Sequence, residues 1–142
     1  MSAPPPTTAL TSRRATFAAF TGAFLEWYDF WIYGTAAALV FPQVFFAGAS
    51  PTVAALESFA TFAVAFVTRP VGAIIFGHFG DRIGRKPVLL ITVFLIGGGT
   101  FLIGVLPSHA MAGGLGALLL VLLRLVQGSG IGGEYGGGSL LA

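Results

Sequence analysis

The chain has 142 residues, of which 8% are charged and 56% hydrophobic, with a formal net charge of +2 and a mean hydropathy of +0.91. Soluble domains carry roughly a quarter charged residues, so a surface this poor in charge suits lipid rather than water. Cysteine is absent and the two histidines, His78 and His109, lie far apart, which excludes disulfides and thiolate metal sites and argues against zinc.

The predicted fold is all-α, with four transmembrane helices. Residues 1–16 read as a disordered cytoplasmic tail, because Pro4, Pro5 and Pro6 disfavour helix and Thr7, Thr8 and Ser12 add no apolar face. The first span is predicted over 17–41, which exceeds the about 20 residues needed to cross a bilayer. Glu26 and Asp29 interrupt it, among Trp27, Tyr28, Trp31 and Tyr33, and Pro42 closes it. An uncharged loop leads to the second span, 54–78, which holds Arg69 and Pro70. An interior proline removes one helical hydrogen bond, which a membrane helix tolerates when neighbours satisfy the freed carbonyl.

A charged loop over 79–87 follows, with Asp81, Arg82, Arg85 and Lys86 ahead of Pro87, a residue suited to a first helical turn. The third span, 88–106, has no charge, and Pro107, Ser108 and His109 mark another uncharged turn. The fourth span, 113–135, contains Arg124 and Gln127 and ends rich in glycine. Gly128, Gly132 and Gly136 recur every four residues, so one stripe carries hydrogen atoms in place of side chains and another helix can approach closely. The expected occupant of that stripe is a helix outside this chain.

Arg13 and Arg14 precede the first span, and Arg82, Arg85 and Lys86 lie between the second and third; the other two connections carry no lysine or arginine. The positive-inside rule therefore places the N-terminus and the 79–87 loop in the cytoplasm. Ser12-Arg13-Arg14 before an apolar run also resembles a twin-arginine export signal. Glu26 and Asp29 break the apolar centre such a signal requires, and three further spans follow.

Glu26, Asp29, Arg69 and Arg124 lie well inside spans, where an unpaired charge costs about 2.5–3.5 kcal/mol. At 1.5 Å of rise per residue, Glu26 and Arg69 both lie roughly 13 Å from the cytoplasmic ends of their spans, and Asp29 and Arg124 roughly 17–18 Å. Depth matching pairs Glu26 with Arg69 and Asp29 with Arg124. Three residues apart, Glu26 and Asp29 share a helix face. Acids and arginines together at mid-membrane suit a proton or substrate path that includes Gln127; the alternative is a static ion pair locking helices together.

The run Gly77-His78-Phe79-Gly80-Asp81-Arg82-Ile83-Gly84-Arg85-Lys86 resembles the signature of the major facilitator superfamily between spans two and three, G-x-x-x-D-R-x-G-R-[RK]-[RK], with Pro87 in place of the last base. Arg124-Leu125-Val126-Gln127-Gly128-Ser129-Gly130 is similar to that superfamily's span-four motif, R-x-x-Q-G-x-G. Glu26-Trp27-Tyr28-Asp29-Phe30, Arg69-Pro70-Val71-Gly72-Ala73 and Gly132-Gly133-Glu134-Tyr135-Gly136-Gly137 resemble the metabolite:proton symporter branch, with Tyr135 where tryptophan is more usual. The resemblance covers residues 17–142.

It implies a secondary active transporter in a bacterial inner membrane, coupling a proton gradient to symport of a small organic acid or zwitterion, with no bound cofactor. It further implies a gating loop in which Asp81 latches with Arg85 beside Arg82 and Lys86, Gly77 allows close packing and Gly84 a tight turn, while Arg124 is linked to proton coupling. That fold has twelve spans in two halves, so the chain is expected to be a truncated N-terminal portion whose partners are lipid, a metabolite and the C-terminal helices of the same transporter. A small non-transporting membrane protein acting as an interaction or assembly module is the alternative. An enzyme is not expected: Gly128, Gly130 and Gly133 spell a dinucleotide fingerprint, but it follows a membrane helix rather than a strand.

Overall fold

The computed structural model describes residues 8–138, apart from the side chains of 8–15, 18, 19, 85 and 134–138. Four long helices, α1 (Thr8–Leu39), α3 (Pro51–Ile83), α4 (Arg85–Gly104) and α6 (Gly114–Gly138), run up and down, with short turns α2 (Phe41–Val44) and α5 (His109–Ala112) in the two connections at one end. No strand is present among the described residues.

Three of the long helices, α3, α4 and α6, are long and apolar enough to cross a membrane by length and composition alone. Helix α1 has the length, at 32 residues, but Glu26 and Asp29 with their flanking tryptophans and tyrosines dilute its apolar run. The outward faces are oily: Phe94 is 80% exposed, and Val67 and Ile74 are each 74% exposed. The interior holds Asp29, Arg124, Gln127, Ser58, Thr61 and Thr92. An apolar shell around a partly polar interior is stable only with hydrocarbon outside.

Two boundaries correct the sequence reading. Helix α1 starts at Thr8, so residues 8–16 are helical rather than a disordered tail, and residues 1–7 lie outside the described residues. Beyond the prolines, Ala9, Leu10, Arg13, Arg14 and Ala15 are good helix formers, and extending an existing helix costs far less than nucleating one. The expected 79–87 loop also contracts to one residue. Helix α3 continues to Ile83 and α4 begins at Arg85, leaving Gly84 with φ +97°, a backbone region nearly closed to residues with a Cβ. The amide of Gly84 donates to the Gly80 carbonyl at 3.1 Å, which ends α3. Pro87 occupies the first turn of α4 as expected.

Gly128 and Gly132 of α6 face α3, within this chain, and not an outside helix as expected. A Cβ on Gly128 would strike Ala65 and Thr68, one on Gly132 would strike the Arg69 carbonyl, and one on Gly72 of α3 would strike the Ser129 carbonyl. The two backbones therefore meet through glycine on both sides. The environment of Gly136 falls outside the described residues. At the end of the bundle that carries α2 and α5, Tyr33, Ala37, Phe41, Phe45, Ile103 and Leu120 form a buried apolar cluster. Below it Tyr33 packs on Phe62 with ring centroids 5.8 Å apart, which closes one end of the polar interior.

Candidate functional site

Asp29 of α1, Thr100 of α4, and Arg124 and Gln127 of α6 meet in the middle of the bundle. Asp29 Oδ1 accepts from the Thr100 hydroxyl at 2.7 Å and from Gln127 Nε2 at 3.0 Å. Its Oδ2 lies 3.3 Å from Arg124 Nη1. Arg124 Nη1 also donates to Gln127 Oε1 at 2.7 Å, and Gln127 Nε2 reaches Thr100 Oγ1 at 2.7 Å. The spacing of Arg124 and Gln127 places both on one face of α6. Gly99 makes room for the glutamine: a Cβ there would sit 3.4 Å from Gln127 Cβ and Cγ.

Burial is nearly complete. The side chains of Arg124 and Asp29 are 2% and 7% exposed. Buried ions are tolerated only when paired and hydrogen-bonded, and this carboxylate receives three donors. The guanidinium carbon of Arg124 stands 3.6 Å above the centre of the Tyr33 ring, a cation–π contact that adds negative charge density on that face. The Tyr33 hydroxyl is held at 2.9 Å from Thr61 Oγ1. Thr61 in turn donates to the Ser58 carbonyl at 2.6 Å, and Ser58 donates to the Ala37 carbonyl at 2.6 Å.

The second expected pair is more open. Arg69 Nη1 of α3 lies 3.5 Å from Glu26 Oε1 of α1, with side-chain exposures of 23% and 16%. The Arg69 guanidinium sits 4.5 Å from the Phe66 ring centre, and its buried Nε has no hydrogen-bond partner. Depth matching along the sequence thus finds both contacts.

Thr100 and Tyr33 escaped that reasoning. Both are uncharged, and only the glycines at 97–99 beside Thr100 hinted that α4 leaves space for a neighbour's side chain.

The expected gating residues lie at the opposite end of the bundle from α2 and α5. Asp81, Arg82 and Lys86 are exposed, and the Arg85 side chain falls outside the described residues. Gly84 makes the expected tight turn. Gly77 does not have the expected packing role within this chain, because a Cβ there would meet nothing within 4 Å.

Comparison with known proteins agrees with this architecture. The chain is 52% identical over 131 residues to a shikimate transporter of Escherichia coli K12, covering 92% of this chain and 30% of the relative. It is 50% identical over 136 residues to the inner membrane metabolite transport protein YhjE of the same organism, covering 95% and 31%. Against a proline/betaine transporter of Salmonella typhimurium LT2 it is 43% identical over 128 residues, covering 90% and 25%. The chain therefore spans under a third of the length of these relatives. No solved structure matches it. The sugar (and other) transporter family matches residues 14–142. With its helices, its buried polar centre and both signature motifs in register, the chain belongs to that family, a transporter and not an enzyme family of the major facilitator superfamily.

Proposed function

We propose that these helices serve a proton-coupled symporter for small carboxylate-bearing metabolites, organic acids or zwitterions, in a bacterial inner membrane. The observation that carries the reading is two acid–arginine pairs, Glu26–Arg69 from α1 to α3 and Asp29–Arg124 from α1 to α6, inside an apolar shell. Ionisable groups at membrane depth mark ion and solute paths. Relatives of the chain are named as transporters of shikimate, proline and betaine, and all three solutes carry a carboxylate.

In this reading the coupling ion is the proton, no bound cofactor takes part, and the remaining helices of a transporter of the relatives' length cover the open side of the site. The N-terminus and the α3–α4 turn face the cytoplasm, where the positive-inside rule puts Arg13, Arg14, Arg82, Arg85 and Lys86. The test is uptake of labelled shikimate, proline and glycine betaine into proteoliposomes of the intact transporter under an imposed inward proton gradient. Accumulation of at least one solute that collapses when a protonophore is added is the expected result; accumulation indifferent to the protonophore rules out proton coupling.

A further inference from the structure

Helices α1 and α3 run antiparallel in a steady register. The Ser58 hydroxyl donates to the Ala37 carbonyl, the Tyr33 hydroxyl meets that of Thr61, and Arg69 meets Glu26. Each step back along α1 is thus matched by a nearly equal step forward along α3. Continued at the same helical rise, Arg13 and Arg14 of α1 stand level with Arg82 and Asp81 of α3. The one-residue turn at Gly84 brings Arg85 and Lys86 of α4 to that level too. Residues 1–25 hold no acid, and Asp81 is the one acid in 70–104. Cations from three helix ends therefore gather at one end of the bundle, well in excess of acids. The side chains of Arg13, Arg14 and Arg85 fall outside the described residues, whereas Arg82 and Lys86 are exposed.

A flexible loop would carry such cations out into water. Here helix ends hold them at a fixed depth. The uncharged stretch of α4, 87–104, is about 27 Å long at 1.5 Å per residue, close to the about 30 Å of a hydrocarbon core. Lys86 therefore sits where acyl chains give way to headgroups. Lys86, Leu90, Phe94 and Phe101 share one face of α4, and all four are exposed. On α3, exposed Phe79 and Ile83 accompany Arg82. On α1, exposed Phe17 and Phe20 follow Arg13 and Arg14. A cation thus tops an oily stripe on each of three helices. A soluble anion would use the cations and leave the stripes. A phospholipid uses both, with its phosphate above and an acyl chain along the stripe.

We propose that this end of the bundle binds an anionic phospholipid of the phosphatidylglycerol class, with its phosphate at Arg82 and Lys86 and an acyl chain along Leu90 and Phe94. The site lies apart from the buried polar centre and does not depend on the symport reading. The positive-inside rule accounts for the sign of this end of the bundle. It does not account for cations held at headgroup depth by helix ends, directly above exposed apolar stripes. Phosphatidylcholine also carries a phosphate, but its quaternary ammonium meets the same cations unfavourably, whereas phosphatidylglycerol brings a net negative charge. Because the turn at Gly84 already fixes the ends of α3 and α4, no loop has to be ordered when the lipid binds, which spares that entropic cost.

The experiment places a bimane fluorophore on the exposed stripe of α4, at Leu90→Cys beside Lys86 or at Phe101→Cys on the same face at the far end. The intact transporter, otherwise free of cysteine, is reconstituted in dioleoylphosphatidylcholine vesicles. These carry a varied fraction of phosphatidylglycerol or phosphatidylcholine bearing a nitroxide quencher near the top of one acyl chain. At position 90, half-quenching is reached with roughly threefold to tenfold less of the glycerol lipid than of the choline lipid; at position 101 the two lipids quench alike. Arg82→Gln combined with Lys86→Gln removes most of the preference, and Arg82→Lys combined with Lys86→Arg keeps it. Raising sodium chloride from about 0.01 M to about 1 M, which shortens the screening length from about 30 Å to about 3 Å, also removes it. If the glutamine variant does not insert, the salt series decides: a preference indifferent to salt overturns the proposal. Equal quenching by the two lipids at position 90 overturns it, as does an equal preference at position 101. Absence of quenching by either lipid at position 90 means that another helix covers the stripe, which overturns it as well. Displacement of the glycerol lipid by excess glycerol phosphate assigns the cations to a soluble anion and overturns the lipid.

Discussion

Asp29 and Arg124 make the residue-scale argument sharpest, because each is buried only by virtue of the other. Removing one charge of a buried pair leaves the other uncompensated and costs about 3–5 kcal/mol, whereas removing both can come close to neutral. Asp29→Asn leaves the Arg124 cation with Gln127 and the Tyr33 ring. Its thermal unfolding, followed in detergent on the intact transporter, is expected to fall well below wild type. Asp29→Asn combined with Arg124→Gln is expected to recover most of that loss. A single variant as stable as the wild type would show that the contact does not hold the helices. The pair was legible from depth alone, since charges sunk in lipid need partners and helical rise fixes their level. Thr100 was not, because a threonine costs too little in a membrane helix to advertise a role. Its contribution depends on the 2.7 Å approach to Asp29, which only the packed structure supplies.

At the scale of elements, the closest approach in the bundle is between α3 and α6, and adjacent glycines on α6 provide an internal comparison. Gly130 and Gly132 sit on the same helix and gain the same helical propensity on becoming alanine. A Cβ at Gly130 would meet Leu95 Cβ at 3.3 Å and both Ile96 Cγ1 and the Thr92 carbonyl oxygen at 3.4 Å, a fit that shifts of a few tenths of an ångström relieve, whereas one at Gly132 would collide outright with the Arg69 carbonyl. Gly132→Ala is expected to lose about 1–3 kcal/mol, the usual range for overpacking, and Gly130→Ala less than about 1 kcal/mol. The thermal unfolding midpoints of the two proteins order them; equal midpoints would mean that α3 and α6 can move apart freely. The repeat of Gly128 and Gly132 announced a close contact but not its partner, because small residues permit approach without selecting what approaches. What selects α3 is Gly72 in register opposite, and register is a property of two packed helices. The four long helices themselves were readable from hydropathy. Their ends were not, since Thr8–Phe17 and Phe79–Ile83 carry helix-compatible residues whose continuation is decided by hydrogen bonding rather than by apolarity.

For the molecule as a whole, the governing quantity is which way the bundle sits in the bilayer. Helix α3 has 33 residues, about 50 Å at 1.5 Å per residue, against a hydrocarbon core of about 30 Å, so one or both of its ends stand outside the lipid. The end bearing Asp81 and Arg82 continues through Gly84 directly into Arg85 and Lys86, while the end after Ser50 carries no charge until Glu57. Transferring the basic end across a membrane is the less favourable choice, so Ser50 and the α5 turn should face the exterior. Single cysteines test this without disturbing a charge: Ser50→Cys, Met111→Cys and Ile83→Cys all fall at exposed positions, and this chain has no cysteine of its own. In the intact transporter within whole cells, a membrane-impermeant maleimide is expected to label positions 50 and 111 and to reach position 83 only after permeabilisation. Labelling of position 83 from outside, with 50 and 111 protected, would invert the topology.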